Sequence, residues 1–218
     1  MWARLRRQKQ MRTSRERVRR VMRERGLQAP HRQGRRPPWE HRGTITTDRP
    51  DQMWGTDMTL TLTTDEGKAN VFVAVDHCTG ECVGIHASRW ATRHEALEPI
   101  RQGVREYFGG FEPGLAAGLA VRHDHGSAYL ARDFQTELKW LGIESSPSFV
   151  RQPEGNGIAE RFIRTLKENL LWVRHFATIE ALRQALLAFR QTHNSQWLLA
   201  RHGYRTPAEH RQRCQQAA

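Results

Sequence analysis

The stretch that most limits the fold runs from Gln52 to Ala87, where three strand-like segments are joined by short turns. In Gln52–Thr63, Met58, Leu60 and Leu62 alternate with Asp57, Thr59 and Thr61, the period of two that a strand requires. Asp65-Glu66-Gly67 is a turn, and Ala69–Val75 is a nearly continuous apolar strand. Asp76-His77-Cys78-Thr79-Gly80 makes a second turn, with Asp76 read as accepting turn hydrogen bonds, and Glu81–Ala87 is a third strand. Connections this short imply an antiparallel meander. The pattern then changes. Thr92-x-x-Glu95 caps a helix to about Phe108, with Leu97, Ile100, Val104 and Phe108 inward. Gly118–His123 reads as a fourth strand, Ser127 to Trp140 as a helix, and Ile143-Glu144 as a short fifth strand. Strands in a run, then alternating with helices, predict an α/β fold with a mixed five-stranded sheet flanked by helices.

Three acids stand out against this frame. Asp57 lies in mid-strand, where propensity disfavours it, and such local conflicts are expected at functional positions. Asp124 lies at the tip of the fourth strand. Glu160 follows it after 35 intervening residues, just inside a helix predicted to start near Gly157. At about 100° per residue, Arg164 and Lys167 fall within about 40° of Glu160, while Phe162 and Leu166 fall on the far side. One helix face therefore carries an acid and two cations, and the other packs on the sheet. Three carboxylates on separate elements suit a site for two hard divalent ions, which activate an attacking oxygen and stabilise a leaving one.

Trp54-Gly55-Thr56-Asp57, His123-Asp124-His125-Gly126-Ser127 and Gly155-Asn156-Gly157-Ile158-Ala159-Glu160, with Lys167 seven residues beyond Glu160, resemble the DDE integrase-transposase superfamily. The 35-residue spacing and the Gly-Asn-Gly block are most similar to the second-frame transposases of the bacterial insertion-sequence-three family. That resemblance covers about Asp48 to Glu209. It implies a ribonuclease-H-like integrase core, two Mg2+ or Mn2+ ions per site held by Asp57, Asp124 and Glu160, and DNA cleavage and strand transfer at insertion-sequence ends. It further implies a homo-oligomer on DNA, with the upstream-frame protein as a candidate partner, in the bacterial cytoplasm on the nucleoid. Arg164, Lys167 and Asn156 are expected to meet DNA. Gly203-Tyr204-Arg205-Thr206-Pro207 matches a C-terminal element of the family, whereas the Arg-Pro-His that usually precedes it is missing.

Charge placement points to the same polyanionic partner. The chain has 218 residues and a net charge of +12. Residues 1–46 hold 15 Lys and Arg against 3 Asp and Glu, which is the whole excess. Residues 1–12 read as irregular. A helix is expected from Thr13, with a Thr13-x-x-Glu16 capping box, a Val18, Val21 and Met22 stripe, and arginines on the other faces. It resembles the last helix of the family's helix-turn-helix region, and Arg15, Arg19 and Arg23 are candidate phosphate contacts. Residues 28–46, with Pro30, Pro37 and Pro38, read as a linker. Domain limits are therefore expected at 1–46 for the arm, 47–210 for the core and 211–218 for a polar tail.

No apolar run approaches the ~18 residues of a spanning helix. Cys78, Cys82 and Cys214 read as reduced thiols, and Cys78-x-x-x-Cys82 has no second ligand pair at zinc-site spacing. No Cys precedes Cys78, so the zinc module of a retroviral-type integrase is not expected. A ribonuclease-H-like nuclease would share the metals but is disfavoured by the spacing and the Gly-Asn-Gly block. A truncated, inactive DNA-binding remnant is the alternative from a different class.

Overall fold

The computed structural model describes residues 1–29, 47–148 and 156–216. Most of the expected linker and most of the glycine-containing loop before Gly157 lie outside these residues. Strands β1 (Met53–Thr63), β2 (Gly67–Asp76) and β3 (Cys82–Ser88) form the antiparallel meander, and β4 (Ala120–His123) and β5 (Glu144–Pro147) add in parallel on the other side of β1. The order is β3-β2-β1-β4-β5.

Helices cover both faces. On one face α3 (Arg93–Tyr107), α4 (Ser127–Leu130) and α5 (Arg132–Trp140) pack on Trp54, Phe72, Ala74, Val83 and Val121. On the other, α6 (Gly157–Leu166) and α7 (Ile179–Gln196) bury Phe162, Leu166, Leu182 and Leu186 against Val71, Val73, Val75 and Ile85. From Val71 to Val75 β2 is continuously apolar and buried because it is covered twice. Gly84 admits α3, since a Cβ there would collide with the backbone of Pro99. Among the described residues no helix is long and apolar enough to cross a membrane.

The structure departs from the sequence reading in three places. Ser127 to Trp140 is two helices, broken where Ala131 turns extended, and the side chain of Gln135 donates to the carbonyl of Tyr129 at 2.8 Å. At the N-terminus, residues expected to be irregular form α1 (Trp2–Gln8), and α2 (Arg15–Glu24) is capped by Ser14, not Thr13. Thr13 instead accepts the Trp2 indole N–H at 3.0 Å, and Arg7 pairs with Glu209 in the C-terminal helix. That helix, α8 (Pro207–Gln216), replaces the expected polar tail from 211 onward. Thr206 and Glu209 form a reciprocal cap at 2.8 and 3.1 Å. Arg211 is buried between Asp51 and Glu81, over the ring of Tyr107.

Candidate active site

The site grows from the seam between β1 and β4. Their parallel ladder has three rungs, Met53–Ala120, Trp54–Val121 and Gly55–Arg122. Two residues beyond the last rung, the strands carry Asp57 and Asp124. Asp57 still pairs with Val73 on its other side. Asp124 starts a turn in which its Oδ1 accepts the Gly126 N–H at 2.8 Å. A Cβ at Gly126 would lie 2.9 Å from that oxygen, so the turn needs its glycine.

The third acid arrives through a backbone peg. Asn156, just ahead of α6, is buried, and its Nδ2 donates to the carbonyl of Thr56 at 2.8 Å. Gly55 makes room: a Cβ there would stand 2.6 Å from Asn156 Oδ1 and 3.0 Å from Ile158. The block around Asp57 and the block before Glu160 therefore interlock. Glu160 lies in the first turn of α6, exposed, while Phe162 and Leu166 face the sheet as the wheel predicts.

Electrostatics report how close the acids come. Burial pushes Asp57 up to about 6, against the hydrogen bond from the Met58 N–H at 2.7 Å, and the charges of Asp124 and Glu160 add to the rise. Lys167 opposes it. Glu160 is also raised, by burial. All three side chains offer only oxygen donors, the set that hard divalent ions prefer. They do not close around one point. Among the described residues, three His, Cys, Asp or Glu ligand atoms mutually within 4.8 Å occur together only at Cys78, His210 and Cys214.

The other expected contacts divide. Arg164 is exposed and bridges to Glu168 at 3.1 Å. Lys167 begins a π-helical turn, Lys167–Leu171, partly buried and near Asp57. Arg15, Arg19 and Arg23 are exposed on α2, and Arg19 and Arg23 line a groove with Arg17 and Arg20. Asn156 is a correction: its side chain is turned inward to hold β1, which removes it from the surface expected to meet DNA. Asp76 is the turn acid anticipated, accepting the Thr79 N–H at 2.7 Å, its hydroxyl at 2.8 Å and the Asp51 N–H at 2.9 Å. Sequence reasoning missed Tyr129, buried beneath the site within electrostatic reach of Asp57 and Asp124. The only sequence signal for it was an aromatic residue five positions after Asp124. His123 is buried against it, rings 5.6 Å apart and stacked, so it is a packing residue.

Residues 47–153 and, overlapping them, residues 141–207 match the integrase core domain. The chain belongs to the integrase-core DDE transposases. This transposase is 28% identical over 221 residues to transposase InsD of insertion element IS2A/D/F/H/I/K from Escherichia coli, spanning 96% of this chain and 71% of that protein. The similarity to transposases of a bacterial insertion element supports the insertion-sequence-three resemblance read from the motifs. Its fold is that of the bovine immunodeficiency virus integrase catalytic core, with a TM-score of 0.56 at 21% identity, covering 77% of this chain and 97% of that one. The catalytic core of the human T-cell lymphotropic virus 2 integrase, solved in complex with magnesium, superposes with a TM-score of 0.55 at 20% identity over 74% of this chain and 96% of that one.

Proposed function

We propose that this transposase cleaves DNA at the ends of an insertion sequence and joins the freed 3′ ends to a target, using Asp57, Asp124 and Glu160 as its catalytic acids. The observation that carries this assignment is placement: Asp57 and Asp124 both stand two residues past the last rung of the β1–β4 ladder, and the Asn156 peg brings the start of α6, which carries Glu160, to β1. Burial raises Asp57, and the charges of Asp124 and Glu160 add to that rise; carboxylates gathered in this way favour a cation in their midst. The donors fit Mg2+ or Mn2+. Asp57, Asp124 and Glu160 would hold two such ions between them. When bound, such ions supply Lewis acidity at the attacking and leaving oxygens of the scissile phosphate.

The protein groups divide the remaining work. Asp57 and Asp124, fixed to a rigid sheet, hold the reacting phosphate's surroundings in place. Glu160 sits on α6, whose start is pegged to β1 by Asn156. Lys167 and Arg164 extend the same helix face toward the DNA backbone. The arginines of α2, Arg15, Arg19 and Arg23, add phosphate contacts that need charge density and no base recognition. Assembly as a homo-oligomer with paired DNA ends, with the upstream-frame protein as a candidate partner, in the bacterial cytoplasm completes the reading.

The test uses purified Asp57→Asn, Asp124→Asn and Glu160→Gln variants on labelled terminal inverted repeats with Mg2+. Each should lose strand cleavage and joining by at least ~100-fold while keeping DNA binding. Wild-type chemistry in any one of them removes that residue from the site. Cleavage without joining by the native chain would instead point to a nuclease.

A further inference from the structure

Away from the acidic crevice, the turn between β2 and β3 meets α8 and brings three soft donors together. Cys78 lies in that turn and is buried. His210 and Cys214 sit one helical turn apart on α8, so they share a face. One ligand atom from each of the three falls within 4.8 Å of the others. We propose that Cys78, His210 and Cys214 form a second metal site, specific for a thiophilic ion such as Zn2+ and distinct from the carboxylate site.

Geometry supports the assignment. A tetrahedral Zn2+ with sulfur at about 2.3 Å and nitrogen at about 2.1 Å sets its ligand atoms about 3.6–3.8 Å apart. Cys214 Sγ and His210 Nε2 are 3.8 Å apart. With Nε2 turned to Cys214, Nδ1 is the other, buried ring nitrogen and has no hydrogen-bond partner among the described residues. His202 stacks on the His210 ring with centroids 3.8 Å apart, and is itself fixed by a 2.9 Å hydrogen bond from Nε2 to the carbonyl of Thr79. The turn carrying Cys78 is held in shape by Asp76.

Charge also balances. Binding Zn2+ replaces the two thiol protons, which leave to solvent, and yields two thiolates, one neutral imidazole and one dication. The resulting centre is neutral overall, which limits the cost of burying it. The fourth position is open to water. Its consequence is mechanical: the ion staples the C-terminal helix to the β2–β3 turn, beside the buried Arg211 pairs.

The full chain, kept in a non-thiol reductant and stripped with a chelator, is titrated with Co2+. The expected result is uptake of one equivalent with a sulfur-to-cobalt charge-transfer band and intense tetrahedral d–d bands, both erased by Zn2+ and unaffected by excess Mg2+. Cys214→Ser and His210→Asn should lose the charge-transfer band or shift and weaken it several-fold, with unchanged far-ultraviolet circular dichroism. The Asp57→Asn, Glu160→Gln double variant should keep it. Equimolar Zn2+ should raise the melting temperature of the native chain and not of Cys214→Ser. Absence of the band in the reduced native chain, or its full retention in Cys214→Ser, overturns the site.

Discussion

At the scale of single residues, the acid proposed to hold metal on β1 works against the fold. Asp57 has its pKa raised from 3.8 to about 6 in the folded chain. Below about pH 4 both folded and unfolded forms are protonated and the residue costs nothing. As pH rises the unfolded chain ionises first, so the penalty grows and is fully present above about pH 6. Asp57→Asn should therefore stabilise the chelator-treated protein by about 1–3 kcal/mol at pH 7.5 and not at pH 4, measured by urea denaturation at both. Equal stability of the two proteins at pH 7.5 would contradict the raised pKa. Gly55 is the complementary case, with no charge and a role in shape. Gly55→Ala should cost about 1–3 kcal/mol through overpacking. It should lower strand transfer at least ~10-fold by displacing α6 and with it Glu160. Chemical denaturation and an end-joining assay read the two effects separately. If joining is untouched, Asn156 is not the peg that places Glu160.

At the scale of elements, what the sequence disclosed depended on what holds each element in place. β1 to β4, α3 and α6 carry apolar residues at regular spacing, so their order and type could be read with errors of a few residues at the ends. Asp57, Asp124 and Glu160 could be singled out because their flanking glycines and spacing form motifs. α8 was not, because its residues past Arg211 have no apolar face. It is anchored by one buried guanidinium between two carboxylates drawn from distant positions, and periodicity cannot register a contact of that kind. The Cys78 cluster was hidden for the same reason: Cys82, its neighbour in sequence, is buried in the opposite core and bonds the Gly84 carbonyl at 3.3 Å. Asn156 misled because a polar residue beside a catalytic motif suggests a ligand contact, whereas only the packing shows it facing β1. The anchor predicts its own failure. Arg211→Met should destabilise by about 3–5 kcal/mol, because buried Glu81 and half-buried Asp51 lose their partner. A urea midpoint within error of the native one would mean that α8 is held by something else.

At the scale of the whole molecule, charge is divided by position. Residues 1–46 hold the entire positive excess, and the rest carries equal numbers of basic and acidic residues. Each phosphate released from its counterions contributes about 0.9 to the slope of log affinity against log salt. Removing residues 1–46 should flatten that slope for non-specific duplex DNA by several units and weaken binding most at low salt. Fluorescence anisotropy at a series of salt concentrations measures it; an unchanged slope would place the phosphate contacts on the core. The three-rung ladder between β1 and β4 has a different reach. The two strands stop pairing before they arrive at Asp57 and Asp124, so both carboxylates lie past the last rung. The mouth of the seam, closed by neither strand, is where the ions and the phosphate of the proposed chemistry would have to enter.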